Sequence, residues 1–276
     1  MNARTREALR ITASMTGACL ASAVILGGVF LVTDRYAEAA RADGERRAIT
    51  ELLSLDARAA VSEVRQSLDP AKREVIYRAP GGGGHFRELV FALDGKLAHE
   101  GLVPATAEEA PAGLTPLGRM FVATRDGRPA GFVVEGETRG YKNIIRFFVA
   151  IDSSFDIAGV RVVQHEEDPG LGAETATKWF QGQFIGRPSA SIDGLDVTRD
   201  PMPEDWHRAL IQLDRTPAAD WRAAHGELAR RERDRPIYAV TGATISSRAL
   251  TNGVRTTVDH FRRRWALIAP YLEGSS

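Results

Sequence analysis

The sequence predicts an α+β fold, in which a single N-terminal transmembrane helix precedes an antiparallel sheet with helices packed on it. The first observation behind this prediction is a stretch of 23 residues without a charge, residues 11–33. The second is a series of short apolar runs separated by turn residues, which is typical of antiparallel strands. The third is that helical patterns follow these runs without regular βαβ alternation, which favours an α+β domain.

The charge-free stretch is long enough to cross a bilayer, whose core needs about 20 apolar residues in a helix. A cleaved signal peptide is the competing interpretation, and Ala21-Ser22-Ala23 resembles a cleavage site. We expect a retained anchor because the apolar run continues for ten residues past that point. Arginines flank both ends, so their count decides little about orientation. A short basic N-terminus, residues 1–10, usually stays cytoplasmic, which predicts a periplasmic domain anchored in the inner membrane.

Composition excludes several classes of function. Lysine plus arginine and aspartate plus glutamate are balanced at 36 each, so no bulk positive charge supports nucleic-acid binding. Cys19 is the only cysteine, which excludes an internal disulfide, a thiolate iron–sulfur cluster and c-type haem attachment. The six histidines show no i, i+3 or i+4 pairing, so no metal site is predicted.

Residues 34–118 are predicted to hold a membrane-proximal helix and strands. An apolar stripe within residues 38–68 indicates a partly helical segment, with Ile49, Leu52, Leu53 and Leu55 as its members. Strands are predicted at residues 74–77 and 88–93, with a glycine-rich turn between them. Residues 104–116, rich in alanine, threonine and proline, are predicted to form a loop.

Residues 119–276 are predicted to form a second domain. Its strands are expected at residues 120–124, 131–134, 144–151 and 157–163. A short helix is expected over residues 173–184, with Trp179 and Phe180 towards the core, and two amphipathic helices form an insertion near residues 201–235. A long helix begins near Ser246, and its inner face is predicted to consist of Leu250, Val254, Val258, Phe261, Trp265 and Ile268.

Two loops of this domain carry residue types suited to a phosphorylated, planar ligand. Thr241-Gly242-Ala243-Thr244-Ile245-Ser246-Ser247 opens the long helix, where unpaired N–H groups and the helix dipole favour a phosphate. In the other loop, Glu167 precedes Pro169-Gly170-Leu171-Gly172, whose glycines allow close backbone approach to a flat ligand. Taken alone, each loop has a simple structural explanation that needs no ligand. Residues 241–247 are then a capped helix start, and residues 167–172 are an ordinary strand-to-helix turn.

The order of several motifs changes this interpretation. Residues 131–258 resemble the FMN-binding domain family, because five motifs occur there in the order typical of that family. They are Gly140-Tyr141, Asp152 at a strand end, Gly159-Val160-Arg161-Val162 and the two loops. Within that family the chain resembles the G subunits of Rnf electron-transport complexes. The C subunits of sodium-translocating NADH:quinone reductases are related to these G subunits.

The resemblance implies a covalent flavin. In this family the second threonine of a Ser/Thr-Gly-Ala-Thr motif is esterified by the phosphate of FMN, which a flavin transferase takes from FAD. The matching residue is Thr244, with the isoalloxazine ring expected near residues 169–172. We expect the N–H groups of Ala243, Ile245 and Ser246 and the hydroxyls of Thr241, Ser246 and Ser247 to bind the phosphate.

The chain departs from the family at two places. The attachment signature usually has an aspartate six residues before the modified threonine, and Tyr238 stands there. The segment at residues 201–235 is also longer than the resemblance predicts, and it either contacts a partner subunit or covers its own domain.

The leading hypothesis is therefore a membrane-anchored flavoprotein subunit of an Rnf-like, ion-translocating complex, which relays electrons between partner subunits. It would need other membrane and redox subunits and a flavin transferase, and it would turn over no substrate alone. A second hypothesis is an anchored flavin-binding sensor or assembly protein outside an electron relay. A third is a structural subunit that has lost its flavin.

Overall fold

The computed structural model describes residues 3–56, 58–104 and 113–272. The chain divides into two compact units, residues 1–48 and 49–276. The described part of the first unit is helical and belongs to α1 (Ala3–Leu53). No helix in the described ranges combines the length and the apolar character that crossing a membrane requires. The single membrane span predicted at residues 11–33 is not confirmed.

The second unit is built on one large antiparallel sheet, which confirms the predicted α+β class. Its strands are β1 (Ala60–Asp69), β2 (Glu74–Gly82), β3 (His85–Ala92), β4 (Leu97–Pro104), β5 (Thr115–Arg125), β6 (Arg128–Arg139), β7 (Ile144–Asp152) and β8 (Ile157–Gln164). They lie in the order β4-β3-β2-β1-β5-β6-β7-β8, and every neighbouring pair is antiparallel. A separate parallel pair consists of β9 (Val197–Thr198) and β10 (Ile237–Tyr238).

Six of the eight sheet strands lie where the sequence predicts them, and β1 and β4 do not. β1 falls within the segment whose stripe indicated a helix, because α1 ends at Leu53 and the chain is extended from Ala60. β4 is an edge strand, and it was not recognised because none of its residues is buried. Most of the loop predicted at residues 104–116 lies outside the described residues.

The predicted long C-terminal helix is confirmed as α5 (Thr244–Leu272). All six apolar positions predicted for its inner face are buried, at most 6% exposed. Phe132 of β6 packs on this face, with ring centroids 5.0 Å from Phe261 and 4.4 Å from Trp265. Burial of a large apolar side chain contributes about 1.5–3 kcal/mol. The core therefore fixes α5 on the sheet, and with it the position of Thr244.

The helix predicted over residues 173–184 is divided into two short pieces. They are the 3₁₀ helix η1 (Gly172–Ala176) and the α-helix α2 (Lys178–Gly182). Thr177 between them is extended, with φ −76° and ψ 152°, so the first piece cannot continue into the second. Phe180 is fully buried and Trp179 is partly buried, as predicted. Two further 3₁₀ helices are η2 (Ser189–Gly194) and η3 (Gln212–Asp214).

The two helices predicted in the insertion are confirmed as α3 (Glu204–Ile211) and α4 (Ala218–Glu232). They pack within the second unit, through a buried cluster that includes Trp206, Trp221, Ile185 and Tyr238. The indole N–H of Trp221 donates to the carbonyl of Ala209 at 2.6 Å, which joins α4 to α3. The insertion is thus attached to the part of the chain that leads into the Thr241–Thr244 loop.

Candidate functional site

The structure brings the two predicted loops into contact. Gly242 makes the turn before α5 with a φ of +79°, a conformation that favours glycine. A Cβ atom added at Gly242 would lie 3.1 Å from Cδ2 of Leu171, so the two loops touch at this point. Leu171 keeps 47% of its surface exposed. The loop at residues 169–172 therefore lies beside the start of α5, as the resemblance predicts.

A buried hydrogen bond ties the same loops together. The hydroxyl of Ser246 donates to Oε2 of Glu167, and both side chains are buried. Glu167 also accepts the backbone N–H groups of Lys142 at 2.9 Å and of Tyr141 at 3.3 Å. One carboxylate thus connects the loop after β8, the turn between β6 and β7, and the first turn of α5.

The pKa of Glu167 results from opposing effects. Burial raises the pKa of this carboxyl, whereas the Ser246 hydroxyl and the backbone N–H groups of residues 141–143 lower it. The hydrogen bonds prevail, and the pKa of Glu167 lies below its ordinary value of 4.5. Glu167 is therefore ionised at neutral pH, and its negative charge stands beside the N-terminal end of α5, where the helix dipole favours an anion.

Glycine is required at two positions around this carboxylate. A Cβ atom at Gly140 or at Gly172 would overlap the carboxyl oxygens of Glu167. At Gly172 the added atom would also lie 2.7 Å from the hydroxyl oxygen of Ser246. The close approach of the three segments thus depends on the absence of side chains at these glycines.

The acidic neighbours of Glu167 also bind the turn between β6 and β7. Glu166 accepts the side-chain amide of Asn143 at 2.7 Å, and Asp168 pairs with the ammonium of Lys142 at 2.9 Å. The hydrogen bond and charge of Asp168 raise the pKa of Lys142. In the sequence, Gly140-Tyr141 was only one motif in an ordered set. Its contact with the acidic loop was missed because that contact joins distant segments.

Hydrogen bonds at the start of α5 occupy two of the groups that were expected to bind the phosphate. The N–H of Ala243 is not available, since it donates to the carbonyl of Val240 at 3.0 Å. The hydroxyl of Ser247 donates to the carbonyl of Ala243 and accepts the N–H of Val240, both at 3.0 Å. Ser247 is fully buried and closes the turn at residues 240–243. The expected roles of Ala243 and Ser247 as donors to a phosphate therefore do not fit their hydrogen bonds.

Other donors at the same helix end fit a phosphoryl group. In the described structure, no acceptor is paired with the backbone N–H groups of Thr244, Ile245 and Ser246. Thr244 is half-buried, and Thr241 is exposed. Unpaired N–H groups at the positive end of a helix of this length are suited to an anion. The Thr244 hydroxyl and these N–H groups could hold a phosphate ester.

The surface around these donors is apolar and open. Tyr141, Leu171 and Ile245 are exposed by 67%, 47% and 60%, and each belongs to or adjoins a segment joined by Glu167. Two clefts in the described part of the chain, of about 610 and 690 Å³, do not include Thr244. A planar ring attached here would lie on an exposed surface, where it would not be enclosed in a pocket.

The motifs and this geometry agree with the comparison to known proteins. The sequence profile of the family described as "FMN-binding domain" matches residues 140–259. This range includes Glu167 and the residues that hydrogen-bond to it. The predicted resemblance to the FMN-binding domain family is thus confirmed for residues 140–259.

The similar proteins belong to ion-translocating complexes. The G subunit of the proton-translocating ferredoxin:NAD(+) oxidoreductase complex of Clostridium ljungdahlii is 27% identical over 139 residues, which cover 50% of this chain and 57% of that protein. The G subunit of the ion-translocating oxidoreductase complex of Methanosarcina acetivorans is 30% identical over 135 residues, 49% of this chain and 53% of that protein. The chain thus spans about half the length of these curated relatives. A crystal structure of NqrC from Shewanella oneidensis aligns with a TM-score of 0.49 and 16% identity, over 84% of this chain and 99% of that chain.

Proposed function

We propose that this chain is the FMN-carrying subunit of an Rnf-like, ion-translocating electron-transport complex, with the flavin attached covalently at Thr244. The observation that supports this most directly is the geometry at the start of α5. There Thr244 carries one of three N–H groups that have no acceptor among the described residues, and Gly242, two residues earlier, lies against Leu171. Thr241 and Gly242 would shape the approach to the phosphate, and Pro169, Gly170, Leu171 and Gly172 would line the ring. Glu167 would hold the two loops together.

The proposed attachment is a phosphoryl transfer from FAD, catalysed by a separate flavin transferase. A bond forms between the Thr244 hydroxyl oxygen and the phosphorus on the FMN side of FAD. The bond from that phosphorus to the AMP phosphate breaks, AMP leaves, and the threonine proton is lost to a base. The resulting phosphodiester keeps one negative charge, which the N–H groups of Thr244, Ile245 and Ser246 can stabilise.

Within a complex, the bound flavin would supply the electron chemistry, and the protein would supply position and electrostatics. The open apolar surface at Tyr141, Leu171 and Ile245 would leave the ring accessible to redox centres of other subunits. The relatives are named as subunits of ion- or proton-translocating oxidoreductase complexes, and we propose membrane and redox subunits of such a complex as the partners of this chain. We expect no turnover of a substrate by this chain alone.

The chain is also proposed to be anchored in the inner membrane by residues 11–33, with residues 1–10 cytoplasmic. Residues 34–118 would form a membrane-proximal region, and residues 119–276 the periplasmic flavin domain. The described side chains of residues 14–30 are all exposed. Membranes washed with alkaline carbonate should retain the chain, and protease added to spheroplasts should degrade the domain. Release by carbonate, or protection from protease, would contradict the anchor or its orientation.

Covalent attachment is tested by co-expressing the full chain with a flavin transferase and illuminating a denaturing gel. The wild-type band should fluoresce, and Thr244→Ala should be dark. Thr256→Ala is a matched control, since Thr256 is an exposed threonine further along α5. Its band should fluoresce like the wild type. A dark wild-type band, or a fluorescent Thr244→Ala band, would contradict attachment at Thr244.

The alternative is an anchored flavin-binding sensor or assembly protein outside an electron relay. This alternative requires that FMN binds reversibly at the open surface of Leu171 and Ile245. Equilibrium dialysis of FMN against the chain made without a transferase distinguishes the two. Tight reversible binding that Thr244→Ala preserves would favour the sensor, whereas retention only after transfer favours the covalent subunit.

A further inference from the structure

Tyr238 is held through its backbone by a buried amide. The N–H of Tyr238 donates to Oε1 of Gln183 at 2.8 Å, and Nε2 of Gln183 donates to the carbonyl of Tyr238 at 3.1 Å. Gln183 is 1% exposed and follows α2 directly. Its amide thus pairs with one residue of β10 as a neighbouring strand would.

The hydroxyl of the same tyrosine contacts the inserted helices. It donates to Oε2 of Glu232, the last residue of α4, at 3.2 Å. Glu232 is 4% exposed, and its other oxygen accepts Nε of Arg231 at 3.0 Å. Burial raises the pKa of Tyr238, and the Glu232 charge raises it further, so the hydroxyl remains a donor at neutral pH.

Arg187 closes the end of α4 from the same side. Its guanidinium donates to the carbonyls of Arg233 at 2.6 Å, of Arg235 at 2.7 Å and of Glu232 at 3.4 Å, and to the carbonyl of Gln183 at 2.7 Å. Burial lowers the pKa of Arg187 to about 10, so it is still a cation at neutral pH. A cation here satisfies the last carbonyls of the helix and complements its dipole.

The chain from Tyr238 to the attachment loop is also hydrogen-bonded. The N–H of Ala239 donates to the carbonyl of Thr198 at 2.9 Å, and the N–H of Val240 donates to the hydroxyl of Ser247. The turn then closes at Ala243. A displacement of Tyr238 would therefore move the attachment loop.

We propose that the insertion α3–α4 positions the attachment loop, with Tyr238 and Glu232 as positioning residues for flavin transfer to Thr244. This inference rests on the proposed function of Thr244. The inference connects the two departures from the family. Tyr238 stands in place of the usual aspartate, and it binds Glu232 of the segment that is longer than expected. The insertion would thus act on the chain's own modification site, with no need for a partner subunit.

The test measures initial rates of flavin transfer from FAD to the purified full chain by a flavin transferase, over a range of chain concentrations. Melting curves of each variant give the folded fraction. Tyr238→Phe keeps the ring and removes the hydroxyl, and Glu232→Leu removes the acceptor. Both should lower kcat on the order of tenfold with little change in KM, because a misplaced reacting group slows the chemical step. Glu232→Gln should stay near wild type, since its amide oxygen still accepts the Tyr238 hydroxyl.

Two controls match these variants. Tyr36→Phe changes an exposed tyrosine in α1, and Glu227→Leu changes an exposed glutamate in α4. Both should transfer flavin like the wild type. Wild-type kcat in folded Tyr238→Phe and Glu232→Leu, or a loss explained wholly by unfolding, would overturn the positioning role. If the wild type itself accepts no flavin, the proposed function fails first, and the inference falls with it.

Discussion

The hydroxyl of Ser246 donates a hydrogen bond to the carboxylate of Glu167, 79 residues earlier in the chain. This contact joins the two loops that the sequence singled out. Beside it, three backbone N–H groups at the start of α5 have no acceptor among the described residues. The charge of Glu167, the glycines around it and the hydrogen bonds of Ser247 each lead to a separate prediction.

Glu167→Gln should change how stability depends on pH. The pKa of Glu167 is lowered by folding, so its ionised form stabilises the protein above pH 4.5, and this contribution is lost as pH falls below that value. At pH 7 the variant should lose about 1–3 kcal/mol, because an amide group replaces an oxygen that accepts buried hydrogen bonds. The difference in melting temperature between Glu167→Gln and the wild type should therefore shrink as the pH is lowered from 7 to 3. Glu166→Gln, at a neighbouring position nearer the surface, is the control, and a constant difference for Glu167→Gln would contradict the prediction.

Gly172→Ala should destabilise the junction of the loops. The added Cβ would overlap the Glu167 carboxylate and meet the Ser246 hydroxyl oxygen at 2.7 Å. Such overpacking costs about 1–3 kcal/mol. Urea unfolding of Gly172→Ala should show this loss, whereas Gly194→Ala, where no atom lies within 4 Å, should not. Equal stability of the two variants would mean that the close approach at Gly172 is absent.

Ser247→Ala should lower stability and still allow a flavin to be attached at Thr244. Its buried hydroxyl bonds to Val240 and Ala243, and its loss leaves the Val240 N–H without a partner, at a cost of about 1–3 kcal/mol. After prolonged transfer the folded variant should still carry one flavin per chain, because Ser247 has no donor to spare for a phosphate. Ser191→Ala removes an exposed hydroxyl and is the stability control. A folded Ser247→Ala chain that stays without flavin after prolonged transfer would return this residue to the phosphate site.

Leu171→Asn should leave stability nearly unchanged and alter the attached flavin. Leu171 is half-exposed, and surface substitutions usually stay within about 0.5 kcal/mol. If the ring lies on this side chain, a polar replacement should shift its absorbance maximum and increase quenching of its fluorescence by iodide. Ile211→Asn, at a similarly exposed isoleucine in α3, should do neither. Identical spectra for Leu171→Asn and wild type would place the ring elsewhere.

Periodicity predicted the elements with a clear apolar face. α5 has such a face along its length, and six sheet strands have apolar runs bounded by turn residues. β1 lacked this signal because only Val64 and Gln66 of its residues are buried, and one of those is polar. β4 lacked it because none of its residues is buried. The break at Thr177 was missed because the apolar pattern of residues 173–184 continues across it.

The site was predictable to the level of its loops and no further. The two motifs and their order indicated the FMN-binding family, whose profile matches residues 140–259. The sequence could not show that Ser246 and Ser247 use their hydroxyls inside the protein. It also could not show that Tyr238 meets Glu232, because these contacts depend on how α4 packs against β10.

The mass of the intact full chain, purified from cells that express a flavin transferase, tests the central claim most directly. Attachment at Thr244 predicts a mass increase of one FMN less one water, which maps to the peptide containing Thr244 and is absent in Thr244→Ala. An unmodified wild-type mass, or an increase that persists in Thr244→Ala, would contradict the account.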